Sequence, residues 1–267
     1  MISECTIIKE LPAGGQKIVH LAEHPSIGKV VIKKGKIHSF TSLERIKREV
    51  DLLSELDSEF YPKQYHFNID VKMKEFEIVE DYIEGKVLRE AMTQFKTPKD
   101  IFRLLISLTK GLASIWNRNI VHRDLKPENI IIRPSGIPCI IDLGIARFLD
   151  LESLTKTISP IGPCTPIYAS PEQLMNIKGS IDPRTDFFCL GIIAVELFLG
   201  VHPFDPAYVG NKYSIVENIL QNIYIVETGS VKRDDSIVEF SGKTLRTQPY
   251  ERFRNFQILN DFITKQI

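Results

Sequence analysis

From Phe187 to Leu199 the chain is apolar on nearly every side, interrupted by Gly191 and Glu196. Such a stretch predicts a helix sunk in the middle of a core rather than lying on a surface. It is too short to span a bilayer, so the rest of the chain has to supply the walls around it. Gly200 stands where the helix would end. With 267 residues and 43% apolar content, the chain can build those walls as one large domain or a two-lobed unit.

The surrounding sequence changes character along its length. Cys5–Leu11, Lys17–Ala22 and Gly28–Lys34 are β-rich runs separated by breaks. One helix follows, with Leu43, Ile46, Val50 and Leu53 at helical spacing. Thr41 is placed to cap it, and Glu44 three residues later completes a capping box. Strand patterns return at Gln64–Asp70 and Glu75–Tyr82, and Tyr82–Gly85 reads as a linker. Beyond Lys86 the pattern is helical. Thr97-Pro98-Lys99-Asp100 carries a cap, a first-turn proline and an early acid. Ile101, Leu104, Leu105, Leu108, Leu112 and Ile115 then form one apolar face. The fold class expected is α+β: a small β-rich lobe with one major helix, then a larger helical lobe.

Lys plus Arg and Asp plus Glu both number 34, and a formal charge of zero argues against nucleic acid or a membrane surface as the main partner. Cys5, Cys139, Cys164 and Cys189 are scattered without Cys-x-x-Cys spacing, which suits a reducing compartment and gives no zinc site. The first residues lack the basic start and apolar run of a signal peptide. A cytoplasmic protein without a membrane anchor is therefore expected. Oligomeric state is left open.

The chemistry is concentrated in His122-Arg123-Asp124-Leu125-Lys126-Pro127-Glu128-Asn129-Ile130. An acid, a lysine and an amide in one short loop can orient a hydroxyl, neutralise a phosphoryl group and hold a metal ion. With its partners elsewhere in the sequence, this run resembles the protein kinase family over nearly the whole chain. Those partners are Val30-Val31-Ile32-Lys33, Arg48-Glu49-Val50, Ile140-Ile141-Asp142-Leu143-Gly144 and Ser170-Pro171-Glu172. The resemblance implies one kinase domain over residues 1–267, with an N-lobe at 1–82, a hinge at 83–85 and a C-lobe at 86–267. It is closest in character to bacterial serine/threonine members.

Residue by residue, the resemblance implies that Asp124 orients the attacking hydroxyl and Lys126 reaches the transferred phosphate. Lys33 holds the α- and β-phosphates of ATP and pairs with Glu49; Glu44 and Glu55 are the other acids on that helix. Asn129 and Asp142 offer hard oxygens to Mg²⁺, with Mn²⁺ a substitute. Gly14 covers the phosphates. Val19, Val31 and Ile131 sandwich the adenine, and backbone groups of Asp81 and Ile83 hold it. Thr165 contacts Asp124 and Lys126. Glu172 pairs with Arg252, Asp186 holds the catalytic loop backbone, and His122 is a packed core residue. Thr155, Thr157 and Ser159 are candidate phosphosites whose phosphate would pair with Arg123.

Two departures stand out. Aligned on Val19 and Ala22, Pro12 and Lys17 replace the outer glycines of the phosphate-covering loop. Glu80 falls behind the adenine, where most members are apolar. Strand alternation puts it on the side of Phe76 and Ile78, and Lys33 is its candidate partner; a one-residue shift in register is the alternative. The expected activity is transfer of the ATP γ-phosphoryl group to serine or threonine of a protein substrate. The rivals are a pseudokinase scaffold and a small-molecule kinase. The Ser170-Pro171-Glu172 segment opposes the second of these.

Overall fold

The computed structural model describes residues 1–12, 17–37, 40–56, 58–143, 147–148, 165–227 and 233–267. Packing divides the chain into two compact units, Met1–Glu84 and Gly85–Ile267.

The N-terminal unit is an antiparallel sheet with one long helix. Its strands are β1 (Thr6–Leu11), β2 (Lys17–His24) and β3 (Gly28–Lys36), followed by α1 (Phe40–Glu55) and then β4 (Gln64–Asp70) and β5 (Glu75–Asp81). The order in the sheet is β1-β2-β3-β5-β4. Period-two alternation gives the sheet two apolar faces. Ala22, Val30, Ile32 and Val79 pack together on one. Phe76 and Ile78 pack with Val50 of α1 on the other. The helix begins at Phe40, so Thr41 has helical backbone and is not the cap its spacing with Glu44 predicts. A cap is worth about 1 kcal/mol, small enough for tertiary placement to override.

The C-terminal unit opens with β6 (Lys86–Val87), α2 (Leu88–Ala91), α3 (Pro98–Trp116) and β7 (Ile120–Val121). The strands β8 (Ile130–Ile132), β9 (Pro138–Ile140) and β10 (Arg147–Phe148) follow, then α4 (Pro171–Leu174) and α5 (Pro183–Leu199). It closes with α6 (Pro206–Val209), α7 (Ile215–Gln221), α8 (Asp235–Thr244) and α9 (Phe256–Thr264). Thr97 caps α3 with a reciprocal box to Asp100, as the sequence predicts, and the whole predicted apolar face of α3 is buried. In α5 every residue from Thr185 to Phe198 is buried. Asp182 caps its start and Gly200 ends it at φ 77°, a left-handed turn that glycine enters without steric cost. α3 packs on α5 and α9, and α8 packs on α5. Among the described residues no helix is long and apolar enough to cross a membrane.

Candidate active site

The C-terminal unit assembles most of the predicted constellation in one loop. β7 delivers the chain to His122, which is fully buried. Asp186 sits in the first turn of α5 with no exposed surface and takes both backbone N–H groups that follow β7. His122 N–H donates to its Oδ2 and Arg123 N–H to its Oδ1, each at 2.9 Å. Trp116 Nε1 donates to Oδ2 at 2.8 Å. Burial pushes the Asp186 carboxyl above its ordinary range, and these donors and His122 oppose that shift. Asp186 holds Arg123 at φ 70°, a left-handed conformation that is strained for a bulky residue. Gln173 of α4 grips the same residue, its Nε2 donating to Arg123 O at 2.7 Å.

Strain at Arg123 turns the chain so that the next residues face one another. Asn129 Nδ2 donates to Asp124 O at 2.8 Å and to Asp124 Oδ2 at 3.1 Å. Lys126 Nζ lies 3.1 Å from Asp124 Oδ2. Thr165 closes the group from the far side of the sequence. Its N–H and its hydroxyl donate to Asp124 Oδ1 at 2.9 and 2.7 Å, and its hydroxyl accepts from Lys126 Nζ at 2.5 Å. Leu125 and Ile130 are fully buried and anchor the loop on either side. The carboxylate of Asp124 is thus aimed by a backbone N–H, a hydroxyl, an amide and an ammonium.

That arrangement makes Thr165 a positioning residue with a measurable effect. Thr165→Val, which removes the hydroxyl and keeps the shape, is expected to lower turnover by about tenfold, the size of one hydrogen bond to a charged group. Thr165→Ser is expected to restore most of it. Steady-state kinetics on both variants checks this, and equal loss in the two would assign Thr165 to packing alone.

Asp142 follows β9 with φ 65°. Ile141 N–H donates to Asn129 O at 2.9 Å, which ties this segment to the loop. Leu143 is 2% exposed, so leucine fills the apolar slot that the resemblance assigns to an aromatic ring. Among the described residues no group of three or more His, Cys, Asp or Glu comes together. The donor set still fits a hard divalent cation. Asn129 spends its amide N–H groups on Asp124, which leaves its carbonyl oxygen as the ligand atom, and Asp142 brings a carboxylate.

Sequence reasoning missed one network in this unit. Arg89 of α2 donates from Nε to Glu128 and from Nη1 to Glu196, each at 2.7 Å. Its Nη2 donates to the Tyr168 hydroxyl, which in turn donates to Glu196. Burial, and then Glu196, push the Tyr168 phenol well above its ordinary range. The network binds Glu128 of the loop to the 165–169 segment. The available signal was Glu196, the one charge inside the apolar stretch from Phe187 to Leu199.

The N-terminal unit carries the remaining candidates. Val19 stands opposite Lys33 in the β2–β3 ladder, and Val31 opposite Glu80 in the β3–β5 ladder. Lys33 Nζ lies 2.7 Å from Glu80 Oε1, with side chains 9% and 4% exposed. The strand alternation read from the sequence therefore places Glu80 correctly. Asp81 N–H donates to Lys63 O at 2.8 Å. The Asp81 carboxylate accepts from Tyr65, a bond that pushes the Tyr65 phenol up to about 12. Ile83 is buried. Ile131, in β8 of the other unit, is half-buried. Gly14, the Glu49 side chain, Thr155, Thr157 and Ser159 lie outside the described residues.

The family model for the protein kinase domain matches residues 6–263. Serine/threonine-protein kinase pkn2 of Myxococcus xanthus is 32% identical over 209 residues, which cover 74% of this chain and 25% of that protein. Serine/threonine-protein kinase PrkC of Bacillus subtilis is 29% identical over 258 residues, covering 92% of this chain and 38% of that one. The chain spans well under half the length of these curated relatives.

Proposed function

The chain belongs to the protein kinase family, and on that premise we propose that it transfers the γ-phosphoryl group of ATP to serine or threonine hydroxyls of a protein. The observation that carries this reading is the closed contact set of Asp124, Lys126, Asn129 and Thr165. Asp124 accepts the hydroxyl proton and orients the nucleophile. Phosphoryl transfer has a loose transition state, so a well-aimed carboxylate matters more than a strongly basic one. Lys126 offsets charge on the transferred group. Asn129 and Asp142 would hold the divalent cation, Mg²⁺ in our reading with Mn²⁺ as a substitute. Lys33 would contact the α- and β-phosphates, and Glu49 would pair with it. Gly14, Val19, Val31, Ile131 and the backbone of Asp81 and Ile83 would enclose the nucleotide. When bound, MgATP supplies the phosphoryl group and screens its charge.

The departure from the family at Lys17 has a direct consequence in this reading. Lys17 replaces a glycine and brings a cation toward the phosphates. Lys17→Ala is expected to raise the apparent KM for ATP severalfold with kcat little changed. An unchanged KM would mean the side chain points elsewhere.

Regulation enters through Thr155, Thr157 and Ser159. A phosphate there would pair with Arg123. Mass spectrometry after incubation with ATP is expected to find phosphate within residues 145–165; an active enzyme with that peptide unmodified would remove this part of the reading. The domain is placed in a cytoplasm, its own or that of a host, where ATP and Mg²⁺ are both at hand.

The reaction class is tested with γ-labelled ATP and a generic protein acceptor, followed by acid hydrolysis. Label on phosphoserine and phosphothreonine supports the reading. Label confined to phosphotyrosine, or to a small-molecule acceptor, contradicts it.

A further inference from the structure

The β3–β5 ladder places Lys33 opposite Ile78 and Glu80 opposite Val31, so the two charged side chains are diagonal neighbours on one face. Diagonal neighbours are within reach of long side chains. Their Nζ–Oε1 separation is 2.7 Å. Val31, Phe76 and Ile78 on the same face are buried apolar residues, and Gln64 of β4 stands directly opposite Glu80. A carboxylate and an ammonium in such a wall are costly to desolvate, and removing one partner strands the other charge. The pair therefore persists once formed. It does not exhaust the lysine, because an ammonium carries three donors.

We propose that Glu80 is a positioning residue that holds the Lys33 ammonium for the nucleotide phosphates. Both residues are borne by hydrogen-bonded strands in continuous register from Val30↔Asp81 to Lys36↔Glu75. The grip on Lys33 therefore comes from the sheet itself, whatever the Glu49 side chain adds from α1. A methyl-terminated side chain at 80 would fill the same space and lack the acceptor. The proposal rests on the reading of Lys33 as the phosphate-contacting lysine.

The test compares wild type with Lys33→Met, Glu80→Gln and Glu80→Met, measuring kcat and KM for ATP and the thermal midpoint with and without MgATP. Lys33→Met is expected to lose transfer by at least about a hundredfold. Glu80→Met is expected to lower kcat/KM for ATP by about tenfold, the effect of one charged hydrogen bond. Glu80→Gln, which keeps an acceptor oxygen, is expected to lie between it and wild type. The apo midpoint of Glu80→Met should fall, and MgATP should recover part of the loss by compensating Lys33. If Glu80→Met does not fold, the graded loss in Glu80→Gln carries the test. Glu80 variants within twofold of wild type beside an inactive Lys33→Met would overturn the proposal and leave the reading of Lys33 standing. A rise in kcat/KM would also overturn it, since Glu80 would then restrain Lys33. Full activity in Lys33→Met would remove the premise.

Discussion

Glu172→Ala is expected to lower the thermal midpoint of the C-terminal unit by about 6–20 °C. Arg252 and Glu172 meet as a two-pronged pair, with Nη1–Oε1 and Nη2–Oε2 each at 2.8 Å. Their side chains are 0% and 2% exposed. Arg252 spends its other donors on backbone carbonyls: Nε on Arg246, Nη1 on Arg184 and Nη2 on Thr247. Thr185 Oγ1 also donates to Glu172 Oε1 at 2.8 Å. Truncating Glu172 therefore leaves a guanidinium charge in the core facing carbonyl groups and the Phe188 ring, with no counter-charge from Glu172. Breaking a buried pair in this way costs about 3–5 kcal/mol, whereas the intact pair itself adds little. For a unit of this size, about 1 kcal/mol moves the midpoint by about 2–4 °C. Arg252→Lys is expected to restore little, because an ammonium cannot reproduce the fork. Differential scanning calorimetry measures both, and a shift of under about 2 °C for Glu172→Ala would show that the pair is not what joins α4 to α5 and the segment around Arg252.

The second large effect is on chemistry alone. Asp124→Ala is expected to reduce transfer by about a thousandfold, within the range of a positioned acid or base. The contacts around Asp124 explain why the effect should be confined to turnover. Its carboxylate is bound by Thr165, Asn129 and Lys126, all within the C-terminal unit. Asp124 is assigned neither to the metal nor to the nucleotide in this reading, so nucleotide affinity is expected to stay within about threefold of wild type. Asp142→Ala separates the two roles, since it should weaken MgATP binding as well. A binding isotherm for a non-hydrolysable ATP analogue on each variant distinguishes them.

Much of this was readable in the sequence, either because it is local or because the family resemblance supplied it, as for the Glu172–Arg252 pair 80 positions apart. The loop from His122 to Asn129 closes on itself over a few residues, and the apolar face of α3 follows helical spacing. The burial of Glu80 was readable because strand alternation carries through β5. Three parts were not readable. The Arg89 network joins residues up to 107 positions apart, and no local pattern encodes such a meeting. The start of α1 was displaced because a Thr-x-x-Glu box is a weak signal beside tertiary packing. Elements as short as β6, α2 and β10 have too few residues to show a period.

The central claim is that Asp124, held by Thr165, Lys126 and Asn129, performs phosphoryl transfer to protein. The most direct measurement is label transfer from γ-labelled ATP to a generic protein acceptor, wild type beside Asp124→Ala, with nucleotide binding measured on the same preparations. Transfer by the wild type, loss of about a thousandfold in the variant and near-equal binding by both is the predicted result. Equal transfer by both proteins, or none by a wild type that binds MgATP, would contradict it.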